Sequence, residues 1–161
     1  MKNKSPDIAF QESYLRSDKV IFIADIISGI LLLLFLYTSL SKLADHGTFK
    51  NVLKASPLLH PVAGLLAWLL PTIEIAVVIL LFIPSTRKKG VFASFVLISA
   101  FTIYLFYMLA VTPNLPCSCG GVLSMLSWRQ HIIFNLVFIV LSLLAIHLYK
   151  RAMSRKSAGP P

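Results

Sequence analysis

The sequence predicts an all-α membrane protein, a bundle of four transmembrane helices with a cysteine-bearing loop between the third and the fourth. Three observations carry this reading. Of 161 residues, 57% are hydrophobic and 13% charged, with a mean hydropathy of +0.82, whereas a soluble domain holds roughly 25% charged residues. The apolar residues come in four blocks of about twenty, each long enough to cross about 30 Å of hydrocarbon. The 15 Lys and Arg outnumber the 6 acidic residues, for a net charge of +9, and they flank the apolar blocks. That placement reads as orientation in a lipid bilayer, with no nucleic acid as partner.

The blocks run from Val20 to Leu40, Pro61 to Ile83, Val91 to Val111 and Ile132 to Tyr149. The first follows nineteen polar-rich residues, exceeds a signal peptide's apolar core and has no convincing A-x-A site after it, so it reads as a retained anchor. The organisation expected is a tail over 1–19, a four-helix membrane domain over 20–149 and a polar, disordered tail over 150–161. Strands are excluded because an open sheet edge in lipid leaves backbone groups unpaired, and no barrel-sized period-two pattern occurs.

Basic residues set the orientation. Lys2, Lys4, Arg16, Lys19, Arg87, Lys88, Lys89, Lys150, Arg151, Arg155 and Lys156 fall on one side. Lys42, Lys50, Lys54 and Arg129, assigned to the first and third connections, fall on the other. The positive-inside bias then puts both termini in the cytoplasm and those two connections outside.

The outer connections hold the recognisable features. In the first, His46, Lys50 and Lys54 share one helical face and Phe49, Val52 and Leu53 another, which predicts a short helix lying in the interface. The other connection, Thr112 to Arg129, carries both cysteines of the chain. Ser127 and Gln130 form a capping-box pattern that starts the fourth helix, and Trp128 suits headgroup depth.

Cys117 and Cys119 are separated only by Ser118 and lie in the oxidising compartment on this topology, so they can pair. A bond closing so small a loop constrains the unfolded chain little, and tight geometry makes it reducible. Gly120 and Gly121 allow a sharp turn that brings N–H groups near sulfur, and Arg129 and His131 can approach from the fourth helix. Either effect favours the thiolate that exchange needs. The alternatives are a static disulfide bracing the loop and two thiols without a role. Cys117, Cys119 and His131 match no common zinc spacing, so no metal site is expected. No phosphate loop, Ser-His-Asp set or paired carboxylate motif occurs, and no cofactor is evident.

Ionisable residues inside the spans are few. Glu74 lies about 18 Å from the outer end of the second helix, where a charge must be neutralised or partnered. It shares a face with Gly64, Ala67 and Pro71, and Pro71 deprives the Ala67 carbonyl of its helical donor. Glu74 is either a proton relay or quinone contact, or a buried hydrogen bond holding the bundle together. Asp25, Ser28 and Gly29 share a face of the first helix, where Asp25 reads as structural or snorkelling. On the fourth helix His131, Asn135 and Ser142 form a stripe pointing into the bundle.

Ser41-Lys42-Leu43 at the end of the first helix, Pro71-Thr72-Ile73-Glu74 in the second, and Cys117-Ser118-Cys119-Gly120-Gly121 leading through Ser127-Trp128 to Asn135 together resemble the DoxX/MauE group of four-helix membrane proteins. The likeness spans roughly residues 20 to 149. It implies a bacterial inner-membrane protein whose cysteine loop is periplasmic. It also implies a thioredoxin-like partner and the maturation of a disulfide-rich secreted protein, in the setting of methylamine utilisation. Relatives often have Phe where Gly120 stands. By a looser analogy, four-helix thiol oxidases such as DsbB and vitamin K epoxide reductase pass electrons to a quinone, but with two cysteine pairs where this chain has one. The expected function is thiol-disulfide redox chemistry at the periplasmic face, with Cys117 and Cys119 as the exchanging pair and Glu74, Arg129, His131, Asn135, Gly120 and Gly121 in support. The rival is a non-enzymatic membrane scaffold or chaperone whose cysteines only brace the loop.

Overall fold

In the computed structural model, residues 6–111 and 128–157 are described, and they are helical with short turns between. Helix α1 covers Pro6–Ala44, α2 His46–Ala55, α3 Ala63–Phe82, α4 Arg87–Val111 and α5 Trp128–Ser157, with a short 3-10 turn at His60–Val62 before α3. Four stretches are long and apolar enough to cross a membrane: Asp18–Ala44, His60–Phe82, Arg87–Val111 and Arg129–Ser154. They contain the four expected blocks.

The helices outrun those blocks at both ends of the chain. Helix α1 begins at Pro6, inside the expected polar tail, and α5 continues to Ser157, into the tail expected to be disordered. Extending an existing helix adds one hydrogen bond per residue without a new nucleus, so residues such as Lys150, Arg151 and Ala152 continue it readily. Helix α5 starts one residue after Ser127, where the capping-box pattern puts its start.

The spanning helices alternate in direction and form a square in which α1 packs on α3 and α5, and α4 packs on the same two; α1 and α4 touch lightly across the diagonal. The core runs down the middle through Ala24, Ile27, Leu31 and Phe35 of α1, Val77 and Leu81 of α3, Val91 and Ile98 of α4, and Ala145 and Tyr149 of α5. Only 28% of each apolar window is buried, so most apolar side chains face outward, as lipid requires. Leu33, Ile103 and Val140 are examples. The two ends of the bundle differ. One carries the α3–α4 turn, the start of α1 and the end of α5; the other, the loop end, carries α2, the end of α4 and the start of α5.

Helix α2 is the amphipathic helix expected of the first connection. The Asp45 carboxylate accepts from the Thr48 backbone N–H at 3.3 Å and caps it. Phe49 and Leu53 are buried against Ala63 and Ala67 of α3, and Lys54 is exposed. His46 stacks on Trp68, ring centroids 4.4 Å apart. Helix α2 therefore lies over the start of α3 and closes the loop end.

At the opposite end the α3–α4 turn is tied by side chains. The Thr86 hydroxyl donates to the Leu80 carbonyl at 2.9 Å, and Arg87 Nε donates to the Leu81 carbonyl at 3.2 Å, which satisfies carbonyls that the end of α3 leaves open. Arg87 also pairs with Asp25 at 2.8 Å, and the Tyr149 hydroxyl donates to the same carboxylate oxygen at 2.5 Å while bonding Ser28 at 3.1 Å. Asp25 thus has the structural role expected of it, with partners on α4 and α5. Gly29, on the same face, packs against nothing.

At Gly90, α4 lies close against the backbone of α3. A Cβ there would sit 2.8 Å from the Leu81 nitrogen and 2.9 Å from the Leu80 carbonyl carbon, both backbone atoms. Gly90→Ala is expected to destabilise the bundle by about 1–3 kcal/mol, despite the better helix propensity of alanine. Thermal unfolding in detergent checks this against Gly29→Ala, which has open space and should be neutral or mildly stabilising.

A buried polar layer as candidate functional site

Near the loop end, each spanning helix turns a polar side chain into the bundle. Ser39 and Lys42 come from α1, Glu74 from α3, Thr102 from α4, and His131 and Asn135 from α5, all of them buried. Two registers align them. Ser28 and Tyr149 are bonded, and Lys42 lies as many residues beyond Ser28 on α1 as Asn135 lies before Tyr149 on α5. Both are therefore displaced by about 21 Å along antiparallel helices and reach the same depth. Phe101 stacks near His131, centroids 5.9 Å apart, which brings the neighbouring Thr102 to that level of α5.

The centre of this layer is an ion pair. Lys42 Nζ lies 2.7 Å from Glu74 Oε1, and the two side chains are only 7% and 10% exposed. Side chains on a helix lean toward its N-terminus, so Lys42, two residues from the end of α1, reaches back into the bundle rather than out of it. Its ammonium also donates to the Thr38 carbonyl at 3.4 Å, and the Phe49 ring of α2 lies 5.8 Å away. Ser56, just after α2, is buried and donates to Met108 of α4 at 3.5 Å. The closing helix therefore covers the pair from the loop end.

The layer holds two buried atoms with no hydrogen-bond partner among the described residues, Glu74 Oε2 and Asn135 Nδ2. A buried acceptor and a buried donor without partners are costly in an apolar bundle and mark this layer as the polar spot of the core. The Glu74 carboxylate is thus held through Oε1 by Lys42, with Oε2 buried and unbonded among the described residues. Among the described residues no three His, Cys, Asp and Glu side chains gather as metal ligands.

Of the residues expected from sequence, Glu74, His131 and Asn135 converge on this layer, with Ser142 buried deeper on the same stripe. Ala67 and Pro71 are buried beside Glu74 as expected, but Gly64 is exposed with nothing within 4 Å and does no packing. Arg129 is exposed on the first turn of α5. Cys117, Cys119, Gly120 and Gly121 lie outside the described residues.

Lys42 is a correction. Counted by sequence with the outer connection, it belongs to α1 and is 6% exposed. The signal was present: a carboxylate deep in a span demands a cation, and Lys42 is the one Lys or Arg close behind the first apolar block. Removing it from the orientation count leaves the bias unchanged in sign.

Cutting one member of a buried pair leaves an unpaired charge, at a cost of about 3–5 kcal/mol, whereas replacing both by apolar groups is often neutral. Lys42→Met and Glu74→Leu are each expected to destabilise by that amount, and the double variant to recover most of it. A double-mutant cycle by denaturant unfolding in detergent measures the coupling; additive losses would show that the pair is not formed.

The family comparison agrees with this architecture. The family model described as methylamine utilisation protein MauE matches residues 20–148, which covers the second and third spanning stretches whole and most of the first and fourth. No curated protein and no solved structure gives a significant match. A match over that much of the chain shows that this four-helix protein belongs to the MauE family.

Proposed function

We propose that the chain handles thiol-disulfide electrons at the periplasmic face of a bacterial inner membrane, with Cys117 and Cys119 as the exchanging pair and both termini in the cytoplasm. The observation that carries this is the Cys117-Ser118-Cys119-Gly120-Gly121 sequence in the connection between α4 and α5, two helices that enter the bundle beside the buried polar layer. Membership of a family described for methylamine utilisation supports it, as does the basic-residue bias of the helix ends.

The reaction balances within the pair. A thiolate of a thioredoxin-like partner attacks one sulfur of the Cys117–Cys119 disulfide and forms a mixed disulfide. The partner's second thiolate then displaces that cysteine. The partner leaves oxidised, and Cys117 and Cys119 keep two electrons and take up two protons as thiols. The reverse sequence reduces the partner, and the relative potentials set the direction. In the forward direction the pair supports the maturation of a disulfide-containing secreted protein. With two cysteines in the chain, the onward electron step returns to the same pair or uses a partner's thiols. Glu74, held against Lys42 inside the bundle, acts as its proton reservoir.

Cys117→Ser and Cys119→Ser are each expected to leave insertion and thermal stability near wild type, because a loop closed across one residue contributes little unfolded-state entropy. Each should abolish exchange, and one should trap a mixed disulfide with a thioredoxin-like protein, visible on a non-reducing gel. Strong destabilisation of both without a trapped partner would make the pair a staple of a scaffold; full activity in both would make it incidental.

A further inference from the structure

The end of the bundle away from the polar layer carries a second feature, unrelated to the cysteines. An open groove of about 370 Å³ runs on the outer surface between α1 and α3. Phe22, Gly29, Leu32 and Phe82 line it, and the partly exposed Asp25–Arg87 ion pair on the same lining gives it a polar mouth. Three observations make it a candidate site. Gly29 has no atom within 4 Å of where a Cβ would stand, so the chain leaves a gap on a face that must meet lipid. Phe22 and Phe82 are 66% and 72% exposed, standing as walls rather than as core. The mouth is polar although it opens onto an apolar surface.

The charges at the mouth select the occupant. Asp25 is 36% and Arg87 23% exposed at the side chain, so both signs are presented together. Arg87 uses Nε for the Leu81 carbonyl and Nη1 for Asp25, and a guanidinium has five N–H donors, so donors remain. Asp25 takes both Arg87 and the Tyr149 hydroxyl on Oδ1, which leaves Oδ2 as an acceptor. A net-neutral pair of this kind offers little to a simple anion. It complements a headgroup that carries a phosphate and a hydrogen-bonding ammonium side by side. The depth also fits: Arg87 opens its span and Asp25 lies about 10 Å into its own, the level at which headgroup gives way to acyl chain.

We propose that this groove is a binding site for one phospholipid with a primary-amine zwitterionic headgroup, of the phosphatidylethanolamine class. Its phosphate accepts from Arg87, its ammonium donates to Asp25 Oδ2, and one acyl chain lies over Gly29 and Leu32 between Phe22 and Phe82. The site thereby attaches a lipid to the junction of α1, α3 and α4, where Arg87 and Tyr149 already join the helices.

The test is native mass spectrometry of the full chain, released from detergent with equimolar dioleoyl phosphatidylethanolamine, phosphatidylcholine and phosphatidylglycerol. The wild-type chain should retain one phosphatidylethanolamine, favoured about tenfold over phosphatidylcholine, because the quaternary ammonium cannot donate a hydrogen bond to a carboxylate. Gly29→Leu fills open space and should lose the adduct with its unfolding temperature unchanged. Asp25→Asn should bring the two zwitterionic lipids to parity, and if that variant does not fold, Gly29→Leu alone decides. Equal retention of all three lipids by wild type, or an unchanged adduct in Gly29→Leu, overturns the proposal. A preference for phosphatidylglycerol also overturns it, since that assigns binding to the surrounding lysines. So does loss of a dimer in Gly29→Leu, since that makes the face a contact between copies.

Discussion

The ion pair between Lys42 and Glu74 is the constraint from which the loop-end half of this molecule follows. Two charges deep in an apolar bundle are tolerable only together, at 2.7 Å and shielded from lipid. That requirement fixes α1 against α3. It draws the last turn of α1 inward and leaves Asp45 to cap α2 immediately afterwards. Phe49 and Leu53 of α2 then cover the pair and the small residues Ala63 and Ala67 of α3. The arrangement explains why an amphipathic helix lies across this end of the bundle instead of a plain turn.

A second polar cluster holds the other end. Asp25, Arg87, Tyr149 and Ser28 tie α1 to α4 and α5, and Arg87 and Thr86 also close the end of α3. Between the two clusters the core is apolar, and in lipid its packing rests on close contact and on the few polar bonds available. Gly90 supplies the close contact where α4 leaves the α3 turn. The two clusters differ in kind. The Asp25 network is largely satisfied within the protein and partly exposed, which suits a fastener. The Glu74 layer keeps an acceptor and a donor without partners among the described residues inside the bundle, which suits a place where protons or polar groups are exchanged. The proposed redox function uses the second, and the inferred lipid site uses the first.

Most of the architecture was legible in the sequence because membrane helices announce themselves by length and apolarity alone. The four spans, the amphipathic α2, the start of α5 and the inward stripe of His131, Asn135 and Ser142 all follow from local patterns of one helix. What was not legible are relations between helices. Nothing in the sequence says that α1 is flanked by α3 and α5, so the partners of Glu74 and Asp25 could not be named even though each was known to need one. Lys42 was misplaced for a related reason: an apolar-run boundary drawn at Leu40 ignores how far a lysine stem can carry its charge back along the helix. Gly64 was read as a packing residue from its size, whereas Gly90, on the next spanning helix, makes the close approach.

The central claim is that Lys42 and Glu74 meet inside the bundle, and solid-state NMR of the full chain in lipid bilayers tests it most directly. With Lys42 Nζ and Glu74 Cδ isotopically labelled, the account predicts strong dipolar coupling, as expected for an ammonium nitrogen 2.7 Å from a carboxylate oxygen. It also predicts that this coupling disappears in Lys42→Met while Phe49 loses its restrained environment. An absent coupling, with the Lys42 ammonium in fast exchange with water at the membrane surface, would contradict the account.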